Sequence, residues 1–475
     1  MSLRKKTIQG LGWSFGTRIF RQISQFVILA ILARLLTPYD FGLIGMVTVY
    51  FGFALMFGEL GVSAALIQRE KVNEEHYSSA FWLNIFAGII LVVIFWLSAP
   101  LIASFYAKPI LIDLIRVISI SCFISSFSIV QSAKLQKKMD FRAISIAEST
   151  AVVLAGIIGI YAALQGMGVW SLVLHFMSFI FVKTCLLWIF SSWRPSFLFS
   201  KDAIKEIFNF SANITGFNIV EYFARNVDYL LVGKFLGAGA LGFYTLAYKI
   251  MLYPLQNVSH VIEGVMFPAF SKIQHDLEKV RNNYLKMVKA ISLVTFPLML
   301  GLFVVAPEFI RVVFGFQWEP VIPVLRILCF CGMFQSIETT VGNIFRSQGK
   351  SDTQFKLQAV GTFIVTGCIL IGLKWGIKGV ASFYALYTLG WVPFSLHVCN
   401  KLINLDDKML VQAISPAFLI SGLIAGVLSL IKYFIITTDL NILLLSSFGG
   451  LSIYFILMIT AKQILISKNK VSLNI

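Results

Sequence analysis

Apolar residues run through this chain in long blocks, each broken by a short polar turn. A helix needs roughly 20 mostly apolar residues to cross the hydrocarbon of a bilayer, and blocks of that length recur from end to end. The pattern predicts fourteen spanning helices, over 11–34, 41–67, 79–105, 111–132, 143–164, 169–190, 211–235, 241–267, 288–314, 321–345, 355–373, 378–398, 411–434 and 442–464. The turns between them carry residues that stop or redirect a helix: Thr37-Pro38, Lys108-Pro109, Gly166-Met167-Gly168, Gly237-Ala238-Gly239 and Glu319-Pro320. No polar stretch is long enough to be a soluble domain. The expected fold class is an all-α membrane protein with only turns covering its two faces.

Composition agrees with that pattern. The 475 residues are 58% hydrophobic and 13% charged, with a mean hydropathy of +0.84, whereas a soluble domain carries roughly a quarter charged residues. The net charge of +17 would suggest a nucleic-acid partner in a soluble protein. Here the charge sits in short connections between apolar blocks, so no nucleic acid is expected. Of the 39 Lys and Arg residues, 25 fall in the even-numbered connections and the two termini. Eight fall in the odd-numbered connections and six within spans. That alternation follows the positive-inside rule, placing both termini in the cytoplasm and requiring an even number of spans. The basic start (Arg4, Lys5, Lys6) leads into a block holding Arg18 and Arg21, a poor signal-peptide core, so this block is expected to stay as the first helix. The six cysteines (Cys122, Cys185, Cys329, Cys331, Cys368, Cys399) lie in apolar blocks with no CxxC, so neither a disulfide framework nor a metal site is expected.

An internal repeat organises the blocks. Arg34-Leu35-Leu36 followed by Gly42 matches Lys234-Phe235-Leu236 followed by Gly242, 200 residues on. Pro109 with Leu114-Ile115-Arg116 resembles Pro320 with Val324-Leu325-Arg326, and the 134–140 stretch resembles 346–352. Gly168-Val169-Trp170-Ser171 resembles Gly379-Val380-Ala381-Ser382. The order never breaks. The chain therefore reads as two six-helix lobes, 1–200 and 201–400, with a terminal helix pair over 401–475. Six being even, the lobes are parallel repeats related by an axis along the membrane normal, an arrangement of transporters with a site at the repeat interface.

Charged groups inside spans are costly and mark function by default. The first span carries Arg18, Arg21, Gln22 and Gln25 on one helical face; the seventh carries Asn218, Glu221, Tyr222 and Arg225, with Asp228 one turn on. Subtracting 200 from the first four gives 18, 21, 22 and 25, so equivalent helices carry the same polar stripe. Arg18 and Arg21 either line a cavity or snorkel to cytoplasmic phosphates. Arg225, near mid-span, lines a cavity or pairs with Glu221 or Asp228. Lys249, Arg326, Glu59 and Glu263 are further candidates, with solvation at a helix end as the alternative for the two glutamates. His175 is read as packing or as a proton relay. Six acidic residues, Glu148 among them, balance the six basic ones within spans, so span charge alone does not define an anionic substrate.

Two motifs mislead. Gly237-Ala238-Gly239-Ala240-Leu241-Gly242 is a literal GxGxxG, but a dinucleotide site needs it after a strand in a βαβ unit; here it reads as a tight interhelical turn. Gly349-Lys350-Ser351 resembles the end of a phosphate loop, but Ile344 stands where the first glycine should be. No cofactor and no catalytic residue are expected.

The run Ala33-Arg34-Leu35-Leu36-Thr37-Pro38-Tyr39-Asp40-Phe41-Gly42, followed by Glu59-Leu60-Gly61-Val62-Ser63-Ala64-Ala65-Leu66-Ile67-Gln68, closely resembles the opening of bacterial polysaccharide-export flippases. These are the Wzx-type members of the multidrug/oligosaccharidyl-lipid/polysaccharide flippase superfamily, including the colanic-acid and teichuronic-acid exporters. The resemblance implies two six-helix lobes working by alternating access in a bacterial inner membrane. The implied substrate is an undecaprenyl-diphosphate-linked oligosaccharide moved from inner to outer leaflet for surface polysaccharide biosynthesis. A polymerase and glycosyltransferases are implied as partners. By the same resemblance, Arg18 and Arg21 match the cavity arginines of such relatives by helix and depth, and Arg225 matches as a cavity residue on the equivalent helix; the polar residues within the spans add Gln25 and Lys249 to the expected cavity lining, and Glu221 or Asp228, next to Arg225, as the expected ion-coupling group. A drug or cation antiporter of the same superfamily is the alternative, with a buried carboxylate as its ion site. A membrane glycosyltransferase or polymerase is more remote, because such enzymes usually carry a sizeable outer loop.

Overall fold

The computed structural model describes the backbone of residues 3–59, 63, 66–67, 72–434, 438–446, 449–450 and 454. The side chains of 3–15, 53–59, 201–221, 223–225, 258–265 and 267–268 fall outside that description. The described chain is helical, without a strand, and nine of its helical stretches are long and apolar enough to cross a membrane. One of these, Ser351–Leu402, holds two of the spans expected from the sequence. Most of the fourteenth expected span, 442–464, lies outside the described residues. The helices form two compact units, Met1–Gly242 and Phe243–Ile475.

The first unit contains α1 (Leu3–Leu35), α2 (Pro38–Glu59), α3 (Glu74–Tyr106), α4 (Leu111–Lys137), α5 (Phe141–Leu164) and α6 (Val169–Phe190). It also holds the opening of α7 (Lys201–Lys272), which is broken at Gly237 (φ 84°, ψ 178°) and continues into the second unit. Short polar devices set the turns. The Thr37 amide and hydroxyl both donate to Asp40 Oδ2, at 2.9 and 2.6 Å, closing the α1–α2 corner at the first turn of α2. The Ala143 amide donates to Asp140, satisfying an orphan donor at the start of α5. On the basic side of the unit, Trp193 Nε1 donates to Glu74 at 2.5 Å while Lys134 bonds the same carboxylate at 3.3 Å and sits over the Tyr77 and Trp193 rings. This cluster ties the segment after α6 back onto α3 and α4.

The two repeat glycines meet in this unit. A Cβ added to Gly42 would run into the carbonyl of Ala238, and one added to Gly242 would run into the carbonyl of Pro38. Pro38 and Ala238 are themselves 200 residues apart, each four before its glycine. The contact is therefore reciprocal, as in a two-fold interface, and only a hydrogen at either α-carbon lets the backbones approach so closely.

The second unit holds the rest of α7, then α8 (Leu277–Phe309), α9 (Val321–Glu338), α10 (Val341–Ser347), α11 (Ser351–Gly372), α12 (Gly376–Leu402) and α13 (Asp407–Phe434). Asp276 caps α8 by accepting from the Lys279 amide, and its hydrogen bonds to Lys279 hold its carboxyl below the ordinary range. α8 ends in a π-helical turn over Ile310–Phe314. It packs on α13 through Val304, Ile424 and Leu428, and Lys432 reaches the buried Glu308 at 2.9 Å. The α8–α9 contact is tied by Thr295 and Ser336 hydroxyls 2.9 Å apart. At the α12–α13 corner, Asp407 accepts from Asn400 at 2.7 Å and lies 2.5 Å from His397 Nδ1.

Candidate functional site

The polar stripe of α1 meets charge on two other helices of the first unit. Arg21 Nη1 pairs with Glu148 Oε2 of α5, and Lys183 Nζ of α6 pairs with Glu148 Oε1 at 2.9 Å. One carboxylate thus holds two cations, one on each oxygen. The side chains of Arg21, Glu148 and Lys183 keep 32%, 21% and 29% of their exposure, so the group is reachable. Arg18 and Gln25 stand on the same helix, both exposed. Snorkelling alone does not describe Arg21, because its guanidinium is engaged laterally by another helix.

The sequence supplied both ends of this arrangement but not the link. In the sequence Glu148 is one of six acidic residues within spans and Lys183 one of six basic ones, with nothing to join them. Which of the apolar helices pack together is not encoded in the charges themselves. A one-turn clue existed: α5 and α6 are joined by the tight Gly166-Met167-Gly168 turn, so they must be antiparallel neighbours. Positions 148 and 183 are nearly equidistant from that turn.

The stripe on α7 is described only in part. Glu221 and Arg225, like Glu59 and Glu263, lie outside the described side chains. Tyr222 donates to the Val49 carbonyl at 2.8 Å, docking α7 on α2. Asp228 is buried and accepts from the Tyr229 amide at 2.9 Å. Lys249, on the later part of α7, is exposed. Arg326 donates to the Phe303 carbonyl at 3.2 Å and stacks over the Phe303 ring, an arrangement that ties α9 to α8. His175 packs against Gly159, where an added Cβ would lie 2.7 Å from the His175 Cβ. The 237–242 motif is the helix break itself, with no strand before it, and Gly349 (φ 68°) turns α10 into α11.

A second polar face belongs to the second unit. Tyr384, Tyr387, Trp391 and Phe394 recur at helical spacing on α12, each ring centroid 5.5–6.2 Å from the next. Tyr248 of α7 extends the row, 6.3 Å from Tyr384, and Gln335 of α9 donates to the Tyr384 hydroxyl. Gly361 of α11 leaves room for the row, since a Cβ there would lie 2.8 Å from both the Tyr387 hydroxyl and the Trp391 ring. The three tyrosines and Trp391 are half-buried. Ring faces interleaved with hydroxyl and amide groups provide apolar contact together with orienting hydrogen bonds.

The fold and these intramembrane charges define a multi-pass membrane protein of the transporter type, and comparison with known proteins narrows the class. A model of the family described as "Polysaccharide biosynthesis protein" matches residues 31–323. The chain is 31% identical to the lipopolysaccharide biosynthesis protein WzxC of Escherichia coli K12 over 78% of its own length and 76% of the relative's. It is 30% identical to the teichuronic acid biosynthesis protein TuaB of Bacillus subtilis 168, over 96% of each chain. Among solved structures, the lipid II flippase MurJ in an inward closed conformation aligns with a TM-score of 0.78 at 17% identity, covering 97% of this chain and all of that one. The chain therefore belongs to the polysaccharide biosynthesis protein family and shares the fold of the lipid II flippase MurJ.

Proposed function

We propose that this protein flips a lipid-linked oligosaccharide, carried on undecaprenyl diphosphate, from the inner to the outer leaflet of a bacterial inner membrane by alternating access. The carrying observation is family membership over nearly the whole length of a teichuronic acid biosynthesis protein, on a flippase fold whose first helix bears clustered cations. A diphosphate cannot enter a low-dielectric interior unpaired. Guanidinium groups bind phosphate bidentately and stay charged when desolvated, so Arg18, Arg21 and Arg225 serve as its counter-charges, with Gln25 and Lys249 beside them. Glu221 or Asp228 is the candidate for ion coupling. The lobes divide near residues 200 and 400, both termini face the cytoplasm, and a polymerase and glycosyltransferases act before and after transport. The aromatic row on α12 suits the glycan.

The antiporter alternative has one observation in its favour, the buried carboxylate of Asp228. The polysaccharide family match weighs against it. The test is surface polysaccharide in a strain lacking its own flippase, with membrane expression checked by blotting. Wild type restores the polymer, Arg225→Ala abolishes it, Arg225→Lys is clearly impaired, and Tyr387→Leu lowers it. Full restoration by a well-expressed Arg225→Ala variant removes Arg225 from the substrate site, and failure of the wild type together with drug efflux by it would favour the antiporter.

A further inference from the structure

We infer that the first unit seats a resident anionic phospholipid, with an acyl chain in a groove between the start of α3 and the 191–200 segment and the headgroup phosphate on Arg194. The site is independent of the cargo. Three observations carry this.

The first is a built groove. The 191–200 segment leaves α6 without helix and runs back along α3. The Ser78 and Ser196 hydroxyls meet at 2.8 Å, Trp82 Nε1 donates to the Ser196 carbonyl at 2.9 Å, and the Ser200 amide donates to Ser79 Oγ at 2.8 Å. These bonds pin the segment to the helix. Beside them lies a cavity of about 410 Å³, lined by Trp82, Leu83, Ile85, Phe86 and Ile89 of α3 and by Phe199. Every lining residue is apolar. Residues 82, 86 and 89 share one helical face, so the groove follows the helix axis for about 10 Å. The second is placement. Phe197 stacks on Trp82, ring centroids 5.2 Å apart, yet keeps 92% of its exposure, and Leu198 and Phe199 beside it are exposed too. Aromatic groups at the end of a spanning helix sit at headgroup level, so the groove begins there and leads into the hydrocarbon, as an acyl chain does.

The third is charge. Arg194 Nη1 donates to the Ser191 and Trp193 carbonyls at 2.6 and 2.8 Å, and its guanidinium lies over the Trp188 ring at 5.3 Å. These contacts fix the group without neutralising it. Lys134, by contrast, is paired with Glu74. Arg194 remains exposed, and a guanidinium has five N–H donors, enough to bind phosphate in a fork as well. It stands two residues before Ser196, within about 7 Å of chain, at the mouth of the groove. α4 ends on the same face with Lys134 and Lys137, and such basic surfaces attract anionic lipids. A cargo lipid has to leave its leaflet, whereas a groove closed by a pinned segment at one membrane face suits a lipid that stays.

The test places the purified full-length protein in nanodiscs of equal parts phosphatidylglycerol and phosphatidylcholine and counts the lipids retained in native mass spectrometry. Wild type is expected to retain one phosphatidylglycerol in preference to phosphatidylcholine. Arg194→Gln is expected to lower that preference about fivefold, the scale of one cation at an anionic surface, while still retaining a lipid. Phe199→Ser and Ile89→Ser, on opposite walls of the groove, should each lower retention of both lipids, so a folding defect in one does not decide the result. Lys138→Gln, on the same basic face at the end of α4, should change nothing. Equal retention of the two lipids by wild type overturns the site, as does an equal loss of preference in Arg194→Gln and Lys138→Gln, or unchanged retention in both groove variants. Displacement of phosphatidylglycerol by an equal amount of polyprenyl phosphate also overturns it, making the groove a seat for the cargo's chain.

Discussion

Arg21 and Arg18 lie one turn apart on α1, and the structure gives them different surroundings. Arg21 is half-buried and engaged by Glu148 of α5, whereas Arg18 is exposed. A residue that only snorkels needs positive charge and length, so lysine should replace it with little loss. A residue that grips a planar oxyanion in a fork needs the guanidinium. Arg18→Lys, at the exposed position, is therefore expected to lose part of the surface polysaccharide in the flippase-null assay, and Arg21→Lys to lose most of it at equal expression. Equal export by the two variants would show that the Glu148 contact does not distinguish them. At this scale the sequence was half legible. The repeat pointed to positions 18, 21, 25 and 225 because equivalent helices carry equivalent polar residues. It was silent about Lys183, since a single lysine within an apolar helix has no periodic partner and gains meaning only when α5 and α6 bring it to Glu148.

At the scale of elements, the helix ends were the most readable feature. The expected spans 111–132, 143–164 and 169–190 appear as Leu111–Lys137, Phe141–Leu164 and Val169–Phe190, because Pro109, Asp140 and the Gly166–Gly168 turn each stop or start a helix by local chemistry. The reciprocal Gly42–Gly242 contact was legible only as a match 200 residues apart; that the two glycines touch requires the fold. Since each faces a carbonyl of the other's helix start, Gly42→Ala and Gly242→Ala should be similarly damaging. Overpacking a close contact costs about 1–3 kcal/mol. Melting of the detergent-purified variants, followed by fluorescence, is expected to show comparable drops for both and little change for Gly301→Ala, whose added Cβ meets nothing within 4 Å. A large drop for one repeat glycine and none for the other would contradict the reciprocal packing.

For the whole molecule, hydropathy and charge alternation defined a multi-pass α-helical protein, and the opening motif indicated the family to which the chain belongs. What they do not contain is the packing of one helix on another, which in lipid depends on small residues and buried polar links rather than on apolar pattern. The charge alternation makes its own prediction for the membrane. Single cysteines introduced in the 134–142, 272–286 and 346–356 connections should be shielded from an impermeant reagent added outside, and those in 106–110 and 236–241 should be labelled. Any one on the opposite face breaks the threading. The central claim is transport itself, and the most direct measurement is translocation in proteoliposomes. A fluorescent polyprenyl-diphosphate-linked oligosaccharide is incorporated with purified protein, and its appearance in the outer leaflet is followed by a membrane-impermeant quencher. The account predicts that wild type moves the labelled lipid across the bilayer well above protein-free vesicles, that Arg225→Ala does not, and that a neutral polyprenyl glycan is not moved. Movement no faster than in protein-free vesicles, from a well-folded wild-type protein, would contradict it.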